Sequence, residues 1–395
     1  MTEWQEKRLA DFVQINPIEK IKKGGIYKKI SMEHIQPFCR DITGYEYSTF
    51  NGGSKFRNHD TVMARITPCL ENGKCAQINV LNDNELGFGS TEFIVFRAIT
   101  NVSDANFVYY LICSDVIRES AIKSMVGTSG RQRVQTNVLE NLILSLPPLD
   151  VQKKIAGVLG ALDDKIELNN KINQNLEAQA QALFKSWFID FEPFGGKMPN
   201  DWKIGKVDDI AKQIICGKTP STKCPEYYGR DIPFITIPDM HGSTYVIKTE
   251  RYLSTKGANI QRGKTLPPNS ICVSCIGTAG LVSLNAYKSQ TNQQINSIIA
   301  DDAISPYYIY LVMKSIADVI KSFGSSGSTI CNLNKDQFSN IDILIPSEII
   351  LSDFHKIVSP QFDAIKHNLE ENLRLAELRD TLLPKLMNGE LTSIT

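Results

Sequence analysis

Residues 151–187 read VQKKIAGVLGALDDKIELNNKINQNLEAQAQALFKSW, and their spacing of apolar residues indicates the architecture of the chain. Its apolar side chains recur at steps of three and four residues, beginning with Val151, Ile155 and Val158. That spacing is the heptad pattern of a helix that packs against another helix. A helix from Val151 to Ile189 would be roughly 58 Å long, at about 1.5 Å per residue.

The same pattern returns near the end of the chain, in residues 350–386. Matching positions lie 199 residues apart, so that Ile166 corresponds to Ile365 and Leu183 to Leu382. The globular segments that precede the two helices begin and end alike but share little in their interiors. The chain is therefore two copies of one unit, each a globular part followed by a helix.

We predict an α+β fold, in which two mixed α/β domains are separated by two long antiparallel coiled-coil helices related by a pseudo-two-fold internal repeat. Each domain is expected to carry one amphipathic helix, near residues 104–125 and 305–323, followed by a Gly-Ser loop, at 127–130 and 324–327. The four predicted segments are domain 1 (1–150), helix 1 (151–195), domain 2 (196–348) and helix 2 (349–395).

Four asparagines occupy heptad positions in the middle of the two helices. They are Asn169 and Asn173 in the first helix and Asn368 and Asn372 in the second. A buried asparagine costs stability but fixes helix register, because only the correct alignment pairs its amide. We therefore expect the helices to pair through a polar layer; the alternative is that these side chains face solvent near a bend.

Two prolines bear on the second helix. Pro360 is expected in its first turn, where the missing N–H is harmless, so that this helix would begin later than the first. Pro384 is expected to kink or end it.

Lys+Arg and Asp+Glu each total 43, so the formal net charge is zero. This counts against a protein that wraps DNA by unspecific attraction alone. Local basic surpluses do occur, in residues 19–29 and 203–264, although such runs are more often simply a solvated face.

The nine cysteines are scattered, and no apolar run at the N-terminus resembles a signal peptide. We therefore expect a cytoplasmic protein without disulfides. The closest pair, Cys272 and Cys275, lies in a strand-like run, where cysteine behaves as a small apolar residue rather than a metal ligand.

No catalytic motif emerges. A phosphate-binding loop, a methyltransferase loop of the Asn/Asp-Pro-Pro-aromatic type and paired metal-ligating histidines are all missing from the sequence. Asp150 and the run Asp163-Asp164-Lys165 loosely fit a nuclease pattern, but we expect them on the helix surface. We predict no catalytic residue, no metal site and no cofactor of the chain's own.

The whole chain resembles the specificity subunits of type I restriction–modification systems. The most specific stretches are Leu146-Pro-Pro-Leu149, the segment from Leu183-Phe184-Lys185 to Glu192-Pro193-Phe194, and the ending Leu378–Glu390. In that family two target-recognition domains each bind half of a split, asymmetric DNA site. The helices set the unread spacer and dock two methyltransferase subunits, and restriction subunits then join. S-adenosylmethionine, ATP and Mg²⁺ are expected on those partners.

Candidate DNA contacts combine cations, hydroxyls and aromatic rings in segments that resemble the family's variable domains or follow the first Gly-Ser loop. They are Arg65, Lys74, Arg131, Arg133, Lys218, Thr219, Ser221, Lys223, Tyr227 and Tyr228.

Two other classes of function stay open at this point. A divergent fused DNA methyltransferase or nuclease would need the missing motifs. A free-standing two-headed DNA-binding regulator would bind tightly alone, against which the neutral charge argues.

Overall fold

The structure, a computed structural model, describes residues 4–128, 130–323 and 331–390. The Gly-Ser loop predicted at residues 324–327 lies outside these ranges. The described chain forms two compact units: unit 1 from residues 1–167 and 373–395, and unit 2 from residues 168–372.

Two long helices take part in both units. They are Leu149–Phe188 and Glu348–Met387, of 40 residues each. Their first residues and their last residues both differ by 199, the offset of the sequence repeat. The predicted fold class, two mixed α/β domains with two long helices, is confirmed.

The expectation that the second long helix begins near Pro360 was wrong, and the helix also continues past Pro384 to end at Met387. A proline inside a helix removes one backbone hydrogen bond and crowds the preceding turn. Here the flanking apolar face is fully buried in the core of unit 2, with Val358 and Phe362 at 0% exposure. Burial of such side chains stabilises by about 1.5–3 kcal/mol each, which offsets the loss at Pro360.

Unit 1 contains two four-stranded sheets. The first is antiparallel, in the order Val13–Ile15, Phe93–Ala98, Thr61–Ala64, Cys75–Gln77. The second has the order Glu46–Thr49, Ile26–Ile30, Gly87–Gly89, Ser54–Phe56, with its middle pair parallel. Helical segments are Leu9–Phe12, Met32–His34, Ala105–Cys113, Asp115–Lys123 and Thr136–Glu140.

Unit 2 has a different interior. Its five-stranded sheet runs Ala211–Cys216, Ile295–Ala300, Ile271–Ser274, Val282–Asn285, Tyr245–Val246, and its three-stranded sheet runs Tyr252–Leu253, Tyr228–Ile235, Gln290–Thr291. Ile276–Gly277 pairs with Cys331–Asn332. Helical segments are Glu192–Phe194, Val207–Ile210, Pro225–Tyr227, Ile237–Met240, Thr255–Asn259, Arg262–Lys264, Pro306–Ser315, Ala317–Ser322 and Lys335–Ser339.

The structure confirms the predicted burial of the cysteine pair but divides the predicted amphipathic helices. Cys272 and Cys275 are buried in and beside the five-stranded sheet, as predicted. Each predicted amphipathic helix is instead two short helices; in unit 1 they meet at Ser114, whose backbone is extended. The spacing of apolar residues does not reveal a break of one non-helical residue such as this, so the sequence predicts one continuous helix.

The frame around the two interiors is the same. In unit 1, strand Gln5–Arg8 pairs antiparallel with Ile143–Leu146. In unit 2, Lys203–Lys206 pairs in the corresponding register with Asp342–Ile345. We call each of these antiparallel strand pairs a ribbon. Each ribbon leads directly into a long helix, so the two units carry different sheets on equivalent frames.

Candidate nucleic-acid interface

Unit 1 brings two of the candidate arginines to one carboxylate. Arg133 donates hydrogen bonds to Glu92 at 2.7–3.1 Å, and Arg65 Nε lies 4.0 Å from the same carboxylate. The hydrogen bond from Arg133 lowers the pKa of Glu92, so the carboxylate stays charged. Two guanidinium groups share this one negative charge next to exposed Arg131, and the group therefore remains basic.

Lys74 does not join this group. Its Nζ donates to the backbone carbonyl of Met32 at 2.8 Å, and its side chain is half-buried. The ammonium is therefore engaged within the domain. Sequence patterns do not show such side chain-to-backbone contacts across 42 residues.

In unit 2, the candidate loop that follows strand Ala211–Cys216 packs against residues 291–293. A Cβ atom on Gly217 would lie 2.1 Å from the Asn292 carbonyl oxygen, so only glycine fits there. Thr219 Oγ1 donates to Gln293 Oε1 at 2.6 Å. The candidate side chains that remain exposed on this loop are Lys218, Ser221 and Lys223.

Two tyrosines border the same loop, and cations stack on both. The Arg251 guanidinium lies 5.0 Å from the Tyr228 ring centroid, and Lys256 Nζ lies 5.9 Å from that of Tyr227. Tyr228 also donates to the Pro220 carbonyl at 2.8 Å. Sequence reasoning missed Arg251 and Lys256, although both fall in the basic run 203–264. Stacked cations and half-buried rings suit contact with a phosphate backbone and base edges.

All four register asparagines lie on one contact between the long helices of unit 2. Asn169 Nδ2 donates to Asn372 Oδ1 at 2.9 Å and to Glu371 at 2.7 Å, and Asn368 Nδ2 donates to Asn173 Oδ1 at 2.8 Å. Because the partner number falls as the residue number rises, the helices are antiparallel here. Within the described residues, Asn169 Oδ1 and Asn173 Nδ2 have no hydrogen-bond partner, so the layer costs stability.

The expectation that Asp163 lies on the helix surface was wrong. Its side chain is buried in unit 1, where Arg379 donates to Oδ1 at 2.7 Å and Tyr110 to Oδ2 at 2.6 Å. Burial raises the pKa of Tyr110, which keeps its hydroxyl a donor. At the repeat-related positions, unit 2 has buried Phe362 and Ala180 instead. One unit therefore holds an ion pair where the other is apolar.

A second polar contact holds the first long helix to the domain within unit 1. Arg40 donates to Asp164 at 2.6 Å and lies beside Asp41 and Glu167. Burial and a hydrogen bond with Glu167 raise the pKa of Asp41 to about 6. Like the Asp163 pair, this contact joins residues more than 100 positions apart and has no local sequence signal.

Among the residues that the structure describes, no three His, Cys, Asp or Glu side chains are arranged to hold a metal ion. In the same ranges, no helix combines the length and apolar content that crossing a bilayer requires.

Comparison with known families assigns the chain to a class. The family described as "Type I restriction modification DNA specificity domain" matches residues 1–178 and 199–374, one match in each copy of the repeat. The chain belongs to this family, and the resemblance inferred from its sequence is confirmed.

Individual relatives match over most of their length. The chain is 36% identical over 401 residues to the type I restriction enzyme HindI specificity subunit of Haemophilus influenzae, covering 84% of this chain and 86% of the relative. It is 24% identical over 414 residues to the MjaIX specificity subunit of Methanocaldococcus jannaschii, covering 98% and 94%. The crystal structure of the type I restriction–modification S subunit from M. genitalium shares the fold, with a TM-score of 0.60 at 15% identity over 98% of this chain and 96% of that one.

Proposed function

We propose that this chain is the DNA sequence-specificity subunit of a type I restriction–modification enzyme and binds a bipartite, asymmetric double-stranded site. The observation that carries this function is the duplicated frame: equivalent ribbons and helices hold two domains whose sheets differ in strand number and order. Two domains with equivalent frames and different interiors are suited to recognising two different half-sites.

We assign the reading of bases to residues 1–150 and 196–348, and the spacing of the half-sites to residues 151–195 and 349–395. The Asn169–Asn372 and Asn173–Asn368 contacts support this assignment, because a polar layer fixes the register of paired helices. The DNA contacts include the ten candidates named above. Lys74 is the weakest of them, since its ammonium already binds a carbonyl group.

The chain recognises DNA and leaves the chemistry to its partners. Methyl transfer from S-adenosylmethionine and ATP- and Mg²⁺-dependent cleavage belong to methyltransferase and restriction subunits. Asp163, one of the acidic residues that loosely fit a nuclease pattern, is engaged in a buried ion pair, which supports a structural role.

Two methyltransferase subunits dock on the long helices in this proposal. Large apolar side chains stay exposed along both helices, which is unfavourable unless a partner covers them. They are Leu168, Ile172, Ile349, Ile357 and Leu378. The assembled enzyme acts on chromosomal DNA in the cytoplasm.

Incubation of the purified chain with duplex DNA, Mg²⁺, ATP and S-adenosylmethionine tests this division of labour. We expect no methylation and no cleavage from the chain alone, and sequence-specific methylation once the cognate methyltransferase subunits are added. Methylation or cleavage by the chain alone would contradict the proposal. A preparation of the destabilised Arg379→Ala variant shows whether such activity belongs to the chain, because the activity of a contaminating enzyme would not fall with this substitution.

A further inference from the structure

The segment 16–25 of unit 1 displays an unusual surface. It connects strands Val13–Ile15 and Ile26–Ile30, and we call it the basic loop. Ile18 on this loop is 96% exposed, more than any other large apolar residue among those described. A single exposed isoleucine is ordinary on a protein surface, so its significance depends on the charged residues that share the loop.

Three lysines follow this isoleucine in the loop. Lys20, Lys22 and Lys23 are exposed, and none forms a hydrogen bond or ion pair with any residue that the structure describes. On the strand that follows the loop, Lys28 and Lys29 are each paired with a carboxylate, Glu85 and Glu46. The loop therefore keeps an uncompensated positive charge, unlike the Arg65–Arg133 group with its shared carboxylate.

A buried ion network holds the loop in place at its centre. Glu19, only 7% exposed, accepts hydrogen bonds from Arg57 at 2.6 Å and from Arg97 at 2.5 Å. Lys55 Nζ donates to the Glu19 carbonyl at 2.7 Å. The hydrogen bond from Arg57 lowers the pKa of Glu19, which keeps it a carboxylate. Ile18 and Lys20, on either side of Glu19, are consequently directed to solvent by a fixed backbone.

Both ends of the loop are fixed as well. Asn16 has a left-handed backbone, with φ of 50°, and exchanges two hydrogen bonds with the Val95 backbone at 2.8 and 3.1 Å. Gly24, with φ of 81°, donates its N–H to the Phe50 carbonyl at 2.9 Å. A loop anchored at three points loses little conformational entropy when a ligand binds.

We propose that the basic loop is the principal DNA contact of unit 1: Lys20, Lys22 and Lys23 bind phosphates, and Ile18 packs on base edges. Duplex DNA is the occupant that the charge favours, because three unpaired cations complement a phosphate backbone. An apolar side chain among them suits a thymine methyl group, a contact that depends on sequence. This inference rests on the proposed function and names residues for the half-site read by unit 1.

The test measures the affinity of triple variants of the full chain for a fluorescein-labelled duplex of random sequence at increasing salt concentration. Lys20→Gln, Lys22→Gln and Lys23→Gln together should weaken binding at least tenfold at low salt and lower the salt slope by about 2–3, since each phosphate contact contributes about 0.9. Lys197→Gln, Lys203→Gln and Lys335→Gln remove the same charge from exposed positions of unit 2 outside the long helices and the candidate contacts, and should leave the slope within about 1 of the unmodified chain. Arginine at the three loop positions should restore the slope.

The outcomes separate this inference from the proposed function. If the unmodified chain binds no duplex at any salt, alone or with its partner subunits, the proposed function fails. If it binds and the loop variant has the same slope as the control variant, the basic loop is not the contact and the function stands. Ile18→Ala should keep the slope but relax base preference in one half of the motif methylated in cells; an unchanged motif would remove Ile18 from the proposal.

Discussion

Arg379→Ala is expected to lower the free energy of unfolding by about 3–5 kcal/mol, the cost of leaving a buried charge without its partner. Arg379 is the cation that pairs with buried Asp163, at 2.7 Å. Without it, Asp163 keeps only the hydrogen bond from Tyr110. Urea unfolding followed by circular dichroism measures the change.

A second substitution distinguishes an unpaired charge from a simple cavity. Asp163→Phe added to Arg379→Ala reproduces the apolar pair Phe362 and Ala180 of unit 2, and should recover half of the loss or more. Lys356→Ala, which breaks an exposed ion pair with Asp353 on the same helix, should cost less than about 1 kcal/mol. A loss below about 1 kcal/mol for Arg379→Ala would show that the buried pair does not stabilise unit 1.

Replacing residues 196–348 with the corresponding segment of a family member that recognises a different sequence is expected to change the bases recognised in one half-site and leave the other intact. Each unit has its own core and its own sheets, so the contacts that read bases are local to it. A mismatched base pair typically costs about 1–3 kcal/mol, so several altered positions would switch preference by orders of magnitude. Methylation of duplex libraries randomised in either half measures this preference in the assembled enzyme.

Exchange of residues 1–150 serves as the reciprocal control and should alter only the other half-site. Each exchange leaves the ribbon strands and long helices of the other copy unchanged. Simultaneous changes in both halves would show that the two units do not read independently.

The frame of the fold could be predicted from the sequence because its signals are local and repeated. Heptad spacing from Val151 onwards predicts the first long helix to within two residues at its start. The offset of 199 then locates the second, and the asparagines at matching heptad positions indicate an antiparallel contact. Each signal depends on spacing along one helix and needs no knowledge of distant residues.

The rest depended on contacts between distant residues. Asp163 has the sequence context of a surface residue, and its burial is explained by two distant partners, Tyr110 and Arg379, the latter 216 positions away. Pro360 has the local signal of a helix start, but burial of the neighbouring Phe362 outweighs it. The sequence also does not show which cations are free to bind DNA. Lys74 binds a carbonyl, whereas the lysines of the basic loop are unpaired among the described residues.

Sequencing of methylated bases across the genome, in cells with and without this gene, tests most directly whether the chain dictates a split recognition sequence. We expect deletion to abolish a single methylated motif, made of two defined blocks separated by a fixed run of undefined bases. An uninterrupted motif, or a methylation pattern that survives deletion unaltered, would contradict this expectation.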